Sequence, residues 1–518
     1  MNQLKGDFTK GTRKGLFEEL KLWSNGRFPG DEPKRVYFLS GGAGLGKSAI
    51  AHQLCTRLNG SVDSPRVGAS YFFVRSDEGL SSGHLFFSTL LHQLALSQST
   101  LRPHIITSVR EYLQHGDQQN LGYASKDLLR MALRKVSASD HSPVFLVVDG
   151  LDECKERDLL PRLLRSLLEL IREVPWLWVF VASRPEPHIM AVLVAPEARD
   201  VVHSRSLDDA LEDLKGDVKL YLEVTVPRIS CYAAFLRDHP DALERLSERA
   251  AGVFIYARIA VRFLDTYHDH PEEQFELLFS PGRAPWLSPL DALYLQVLRS
   301  AFPPADLHQA LPARRERLLS VLQIIALRRR ALTSRCIARL GSGLSEDDVV
   351  GIVDSLRSVL LIGQDGTVRP LHATFPEFLL DAKRCEDTLY HVDKGEGHAR
   401  LASSCLAAFS FANVVECLAK PDSAVGQHVS YAALVWSEHF RDAVDPGDEL
   451  GNRLRTFVQG DNLPIYTRTR LVLPSVYRET QTRRQVVDLH TNTHRCVRHM
   501  VQFLKVGTKS SSLPRLRW

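Results

Sequence analysis

The residues with most chemistry to offer lie together in "GGAGLGKSA", Gly41 to Ala49, which packs four glycines, a lysine and a serine between two apolar runs. Gly41, Gly46, Lys47 and Ser48 have the spacing G-x-x-x-x-G-K-S/T. Positions without side chains let successive backbone N–H groups curl around phosphate oxygens at a helix N-terminus. Lys47 is suited to the β and γ phosphates of a nucleotide and Ser48 to Mg²⁺, so the expected nucleotide-binding set is Gly41, Gly42, Ala43, Gly44, Leu45, Gly46, Lys47, Ser48 and Ala49. A second stretch, "PVFLVVDGLDEC", ends five apolar residues in Asp149, with Asp152 and Glu153 following. Asp149 is the expected partner of Ser48 in ordering a Mg²⁺ shell. Asp152 or Glu153 is placed to polarise an attacking water as general base, which makes Lys47, Asp152 and Glu153 the expected catalytic residues. Acids complementing a helix dipole are the alternative reading of that pair. Arg184 closes "WLWVFVAS", where a guanidinium can sense a γ-phosphate; a surface ion pair is its alternative.

These groups need a particular scaffold. "VYFLS", Val36 to Ser40, is a β-branched and aromatic run suited to a buried strand, and after the glycines Ile50, Leu54 and Leu58 share a helical face. A strand buried on both faces also describes Val144 to Val148, and a carboxylate at its C-terminal end lies where open α/β sheets bind ligands. The fold class expected is an α/β P-loop NTPase core, a parallel sheet flanked by helices, followed by a helical lid, a winged helix and further α-helices. GTP is disfavoured because no N-K-x-D base reader occurs. Hydrolysis is preferred over phosphoryl transfer to a small substrate, because paired acids follow the Asp149 strand.

The chain has 518 residues, 44% hydrophobic and 24% charged, enough for roughly three domains of ordinary size. No window approaches the ~20 uninterrupted apolar residues of a membrane span, and the N-terminus has no apolar stretch of signal-peptide type. The eight cysteines are scattered singly, without zinc spacing. A cytoplasmic protein with no membrane partner is expected. The formal charge of +4 hides an uneven distribution, since Arg453 to Trp518 holds 13 Lys and Arg against 3 Asp and Glu. Such a tail can meet nucleic acid or anionic lipid, although a solvated extension is the simpler reading.

The ordered set "GTRKGLFEELKLW", "GGAGLGKSAIAHQLC", "GASYFFVRSD", "VFLVVDGLDEC" and "FVASRPEPHI" resembles the NACHT family of STAND P-loop ATPases, most closely the fungal NLR-like proteins. The likeness extends over roughly residues 10 to 440: "AAGVFIYARIAVRFL" and "PLDALYLQVL" look like that family's helical lid, and "PLHATFPEFLLD" like the end of its winged helix. It implies ATP or ADP with Mg²⁺ as cofactors. It also implies that Thr12 and Arg13 line the adenine pocket, a capping threonine and a solvated arginine being the alternative. His372 matches the histidine that such ATPases aim at the β-phosphate of ADP to hold the closed state; a packed core histidine is the alternative. Where many members carry Gly-x-Pro in the lid, this chain reads "AAGVFIYA".

The winged helix is also legible in the residues alone. Thr333 and Ser345 stand as N-caps, Ser345 with Asp348 approximates a capping box, and "VLLIG" and "TVRPLH" flank Gln364, Asp365 and Gly366 as a hairpin. The expected organisation is a leading helix segment at 1–30, an ATPase core at 31–207, a lid at 208–305, a winged helix at 306–385, helices at 386–445 and a basic irregular tail at 446–518. No repeat recurs downstream, and only about ten residues precede the match, so effector and sensor modules of fungal relatives are not legible. The chain is read as a shortened paralogue, a partner for a full-length relative, or a truncated product. The expected function is an ATP/ADP-driven signalling switch with slow hydrolysis, whose ATP state opens for self-association or pairing with a full-length NLR-like paralogue. The alternatives are a nucleotide-stabilised scaffold without turnover and a winged-helix DNA-loading ATPase. The last is disfavoured by the acidic "SEDDVVGIVDSL" at the recognition-helix position, so nucleic acid is not an expected partner.

Overall fold

The computed structural model describes residues 8–27, 34–59, 67–115, 121–136, 143–266, 270–279, 288–309, 312–420, 423–444, 447–459 and 466, apart from positions 76, 78 and 342. The chain divides into two compact units. The first holds the residues up to Leu319 together with Arg328–Ala331 and Val350–His391; the second holds Ser320–Leu327, Leu332–Val349 and the described residues from Val392 onward.

The first unit is built on a five-stranded, wholly parallel sheet: β1 (Val36–Ser40), β2 (Val67–Phe72), β3 (Val144–Asp149), β4 (Leu177–Ser183) and β5 (Val202–Ser206), in the spatial order β2-β3-β4-β1-β5. Parallel neighbours require crossovers, and helices supply them on both faces. Side chains alternate across the pleat, so each central strand feeds two cores. Val36, Phe38, Leu146, Val148, Val179 and Val181 face one, which the leucine-rich helix Leu160–Glu173 helps to cover. Tyr37, Leu39, Phe145, Val147, Trp178 and Phe180 face the other, under helices Lys14–Ser24 and Lys47–Asn59. Every residue of β1, β3 and β4 is buried, as their unbroken apolar runs anticipate. The fold class read from the sequence is therefore the one observed, a parallel α/β P-loop core with many further helices.

Register does the positioning. Ser40 lies opposite Ser183 on one side and Ser206 on the other, while Asp149 lies opposite Ala182 and Phe72. The five strands thus end level, and whatever follows each of them is delivered to one edge of the sheet. Beyond the sheet, the same unit contains helices Leu211–Thr225, Phe254–Thr266 and Pro289–Ala301 and an antiparallel hairpin, Leu360–Ile362 with Thr367–Pro370. Gly366 takes the left-handed conformation at the hairpin turn, where a glycine was expected.

In the second unit the caps stand as anticipated. Thr333 Oγ1 accepts from Cys336 N–H (3.3 Å), and Ser345 and Asp348 exchange reciprocal bonds at 3.0 and 2.9 Å. Its helices Lys394–Ala407 and Ala424–Asp442 bury a histidine pair, His398 and His439, with ring nitrogens 2.8 Å apart, and Tyr431 against the second ring. The segment from 446, expected to be irregular, starts instead with helix Gly447–Gln459. Leu450, Leu454 and Phe457 recur there at helical spacing and are buried, a pattern that the basic composition of the region hides. The rest of the basic tail lies outside the described residues, Tyr466 excepted. Among the described residues no helix is long and apolar enough to cross a membrane, and none of the seven cysteines forms a disulfide.

Candidate functional site

The glycine loop leaves β1 at the level sheet edge and runs into helix Lys47–Asn59. Gly44 and Gly46 have φ of +80° and +88°, the left-handed region that side chains avoid. Space is a second constraint at Gly44, where a Cβ would lie 2.3 Å from Ile255 Cγ2. Gly44 O also accepts Ile255 N–H (3.2 Å), so the start of helix Phe254–Thr266 rests directly on the loop. Lys47 Nζ donates to Gly41 O (2.6 Å) and Gly42 O (2.7 Å), closing the loop on itself. Burial lowers its pKa, against the raising influence of Asp152 and Asp149. Asp208, just after β5, accepts Gly42 N–H with both carboxylate oxygens at 3.2 and 3.3 Å.

Arg13, at the start of helix Lys14–Ser24, is brought to the same loop. Arg13 is buried, in the left-handed region at φ 57°, and donates from Nη2 to Leu45 O (2.6 Å). Its backbone N–H and Nε engage Asp217, and its guanidinium stands 5.0 Å from the centre of the Phe254 ring. Burial brings its pKa down to about 10. Arg13 is therefore not a solvated arginine but a tie between the loop and helix Leu211–Thr225. Thr12 Oγ1 donates to Thr9 O (2.8 Å) rather than capping the helix.

The two acids after Asp149 have different surroundings. Asp149 is buried at the end of β3. Asp152 is committed: Oδ1 accepts from Ser183 Oγ (3.2 Å) and Arg184 N–H (3.0 Å), and Oδ2 pairs with Arg184 Nε (3.1 Å). Glu153 accepts Arg75 N–H at Oε2 (2.9 Å), yet burial, with Asp152 and Asp149 nearby, pushes its pKa up to about 7. A carboxylate with that affinity for protons is poised for general-base work near neutrality. Ser48 and Asp149 offer only oxygen donors, the chemistry that Mg²⁺ takes. Among the described residues no group of three or more His, Cys, Asp and Glu forms a metal centre.

His372 leaves the hairpin and reaches the same charges. Its Nδ1 accepts Thr374 N–H (3.2 Å) and lies 2.8 Å from Thr374 Oγ1, which in turn meets Tyr294 Oη (2.7 Å). A backbone N–H only donates, so Nδ1 carries no proton and Nε2 is the N–H of the neutral ring. Burial, with Arg184, Lys47 and Arg258 nearby, pushes its pKa down to about 4.

Glu153 and His372 shift in opposite directions, which yields a stability test. The raised Glu153 binds more protons folded than unfolded between 4.5 and about 7, so its contribution is present at low pH and lost as pH rises through that window. The lowered His372 binds fewer protons folded between about 4 and 6.5, and its contribution is lost as pH falls. In Glu153→Gln only the second remains. The variant should melt higher than wild type above neutrality, and the gain should shrink as pH falls toward 4.5; a pH-independent difference in Tm would contradict the placement of Glu153.

The sequence family described as Nephrocystin 3, N-terminal, matches residues 11–184, which include the loop, Asp149 and Arg184. No curated protein matched the chain. Two solved structures are similar at 12% identity: Cdc6p from Pyrobaculum aerophilum, over 75% of this chain and 99% of that one with a TM-score of 0.31, and the Walker-type ATPase of Pyrococcus abyssi, over 72% and 99% with a TM-score of 0.29.

Sequence reasoning missed several residues of the site: Arg75 after β2, Asp208 after β5, Asp217, Ile255, Arg258 and Glu377. Asp208 and Arg75 are polar residues just beyond strand ends, but what they reach is set by register. Glu377 is separated from Arg184 by 193 positions, and only folding joins them.

Proposed function

We propose that the chain is an ATP/ADP-dependent switch of the NLR-like STAND class, binding Mg-nucleotide at the Gly41–Ala49 loop. The carrying observation is that His372, a neutral Nε2–H donor, shares its surroundings with Lys47 and Arg184. Asp152 stands among the same charges, so the ring enters a mixed cluster beside the glycine loop, and its Nε2–H donor supports the reading that a phosphate is met there. The glycine loop supplies N–H groups for phosphates, and Lys47 supplies the cation that follows them. Ser48 and Asp149 would hold Mg²⁺, which would supply charge neutralisation for the phosphates. Glu153 takes a proton from water, while Asp152 holds Arg184 in place. Arg13 sets the loop through Leu45 O, with Phe254 against its guanidinium. In the ADP state His372 donates to the β-phosphate and keeps the unit closed; exchange for ATP releases it and opens a surface for self-association.

The hairpin before His372 supports the winged-helix reading, and the level sheet edge supports the nucleotide reading. The test is binding by the full chain. Lys47→Ala should weaken MgADP and MgATP at least about tenfold in calorimetry, since hydrogen bonds to charged groups contribute roughly 1.5–3 kcal/mol. Wild-type affinity in Lys47→Ala would refute the assignment of the loop. The scaffold reading keeps a specific support, that Lys47 is already satisfied by Gly41 and Gly42 carbonyls. It predicts nucleotide binding that raises Tm with no phosphate released over hours.

A further inference from the structure

Arg184 has three guanidinium nitrogens, and carboxylates meet all of them. Asp152 Oδ2 takes Nε at 3.1 Å, while Glu377 takes Nη1 with Oε2 (3.3 Å) and Nη2 with Oε1 (3.1 Å). The same Glu377 Oε1 accepts from Arg75 Nη1 (3.2 Å), and Arg75 Nη2 reaches Asp152 O (3.4 Å). Glu377 belongs to the short helix Thr374–Leu379, whose Phe375 and Phe378 are buried against the Tyr294 ring at 5.1 and 5.3 Å between centroids. The carboxylate therefore projects from a packed base, five residues from His372. Arg184 and Glu377 side chains are 23% and 24% exposed, partly removed from water, where a fork-to-fork pair is strong. Burial works against the charge of Arg184, but Glu377 and Asp152 overcome it and raise its pKa.

An arginine in this state cannot turn its fork to a terminal phosphate without giving up Glu377. We propose that Glu377 is a positioning residue that sets the preference of the site for diphosphate over triphosphate, by chelating Nη1 and Nη2 of Arg184 until a γ-phosphate outcompetes it. The inference rests on the nucleotide-switch reading above. It adds to it a named competitor for the sensing arginine, and it gives the segment after the hairpin two handles on the site: His372 favours ADP by a contact it makes, and Glu377 disfavours ATP by a contact it withholds. Arg75 shares Glu377 and also holds Glu153 through its backbone, so release of Glu377 is transmitted to the loop that carries the base.

The test uses the full chain with MgADP and MgATP by calorimetry. Glu377→Gln keeps the shape and removes the charge; it should tighten ATP relative to ADP by roughly tenfold, the scale of one charge-assisted pair. In an Arg184→Gln background the same change should have no effect on the ratio, because the partner is gone; a residue that only props up the fold would perturb both nucleotides in both backgrounds. Glu377→Asp, charged but one methylene short, should shift the ratio in the same direction by less, and it stands in if the glutamine variant fails to fold. The proposal is overturned if both variants keep the wild-type ratio, or if the shift persists without Arg184. Failure of the underlying reading looks different: wild type and Lys47→Ala would then bind both nucleotides alike or not at all.

Discussion

Glu153→Gln is expected to slow ATP hydrolysis by about two to four orders of magnitude, the range that a positioned general base contributes, while MgATP affinity stays close to wild type. The isosteric amide keeps the bond from Arg75 N–H and cannot take a proton. Geometry distinguishes Glu153 from its neighbour: both oxygens of Asp152 are engaged by Ser183 and Arg184, whereas the proton affinity of Glu153 is raised to about 7 by burial beside two carboxylates. The pH profile follows with a definite sign. A base works deprotonated, so kcat/KM of the wild type should climb by about tenfold per pH unit up to about 7 and level off above it. Single-turnover measurements from pH 5.5 to 8.5 check both statements. Abolished turnover in Asp152→Asn, with Glu153→Gln near wild type, would transfer the role of base to Asp152 and leave Glu153 as the partner of Arg75.

The parts of this site that were legible are those whose chemistry forces a local pattern. A phosphate cradle needs glycine where the backbone turns left-handed or meets another chain segment, and Gly44 satisfies both conditions at once, so the loop can be found in nine residues. A strand buried on both faces must be apolar throughout, which makes Asp149 stand out at its end. The capping box of Ser345 and Asp348 and the turn at Gly366 are likewise short-range. What stayed hidden depends on register and docking. Asp208 reaches Gly42 N–H only because β5 ends level with β1, and no property of "SRSLDDA" announces that alignment. Arg13 is singled out only through the family resemblance, and its burial is not legible: Leu45 O and Asp217 complete its bonds and Phe254 covers its face. Glu377 reads as a solvated acid in a helical turn; its partner is chosen by the packing of Phe375 and Phe378 on Tyr294. The segment 447–459 shows the reverse error, in which charge composition outweighed an apolar spacing that was present in the residues.

His372→Leu is the sharper test of the switch, because it removes a contact expected in one state only. The neutral ring, with Nδ1 occupied by Thr374 N–H, presents Nε2–H as its donor, and a hydrogen bond to a charged phosphate contributes roughly 1.5–3 kcal/mol, or about ten- to a hundredfold in the closed-to-open ratio. ADP release followed by stopped flow should accelerate by about that factor, while ATP affinity changes little, and the protein in ATP should elute as a larger assembly on size exclusion. Adding Lys47→Ala should suppress the assembly, since opening still requires nucleotide. The ring also predicts a pH signature. Arg184, Lys47 and Arg258 help to hold its pKa at about 4, and a phosphate placed among those cations offsets them and raises it. ADP binding then takes up protons, so affinity for ADP should strengthen as pH falls below the ordinary histidine range, and the slope should be shallower in His372→Leu, where only Glu153 and the phosphate itself still titrate. A leucine variant that holds ADP as tightly as wild type, at the same size and with the same pH slope, would make His372 a histidine packed behind a hairpin and nothing more.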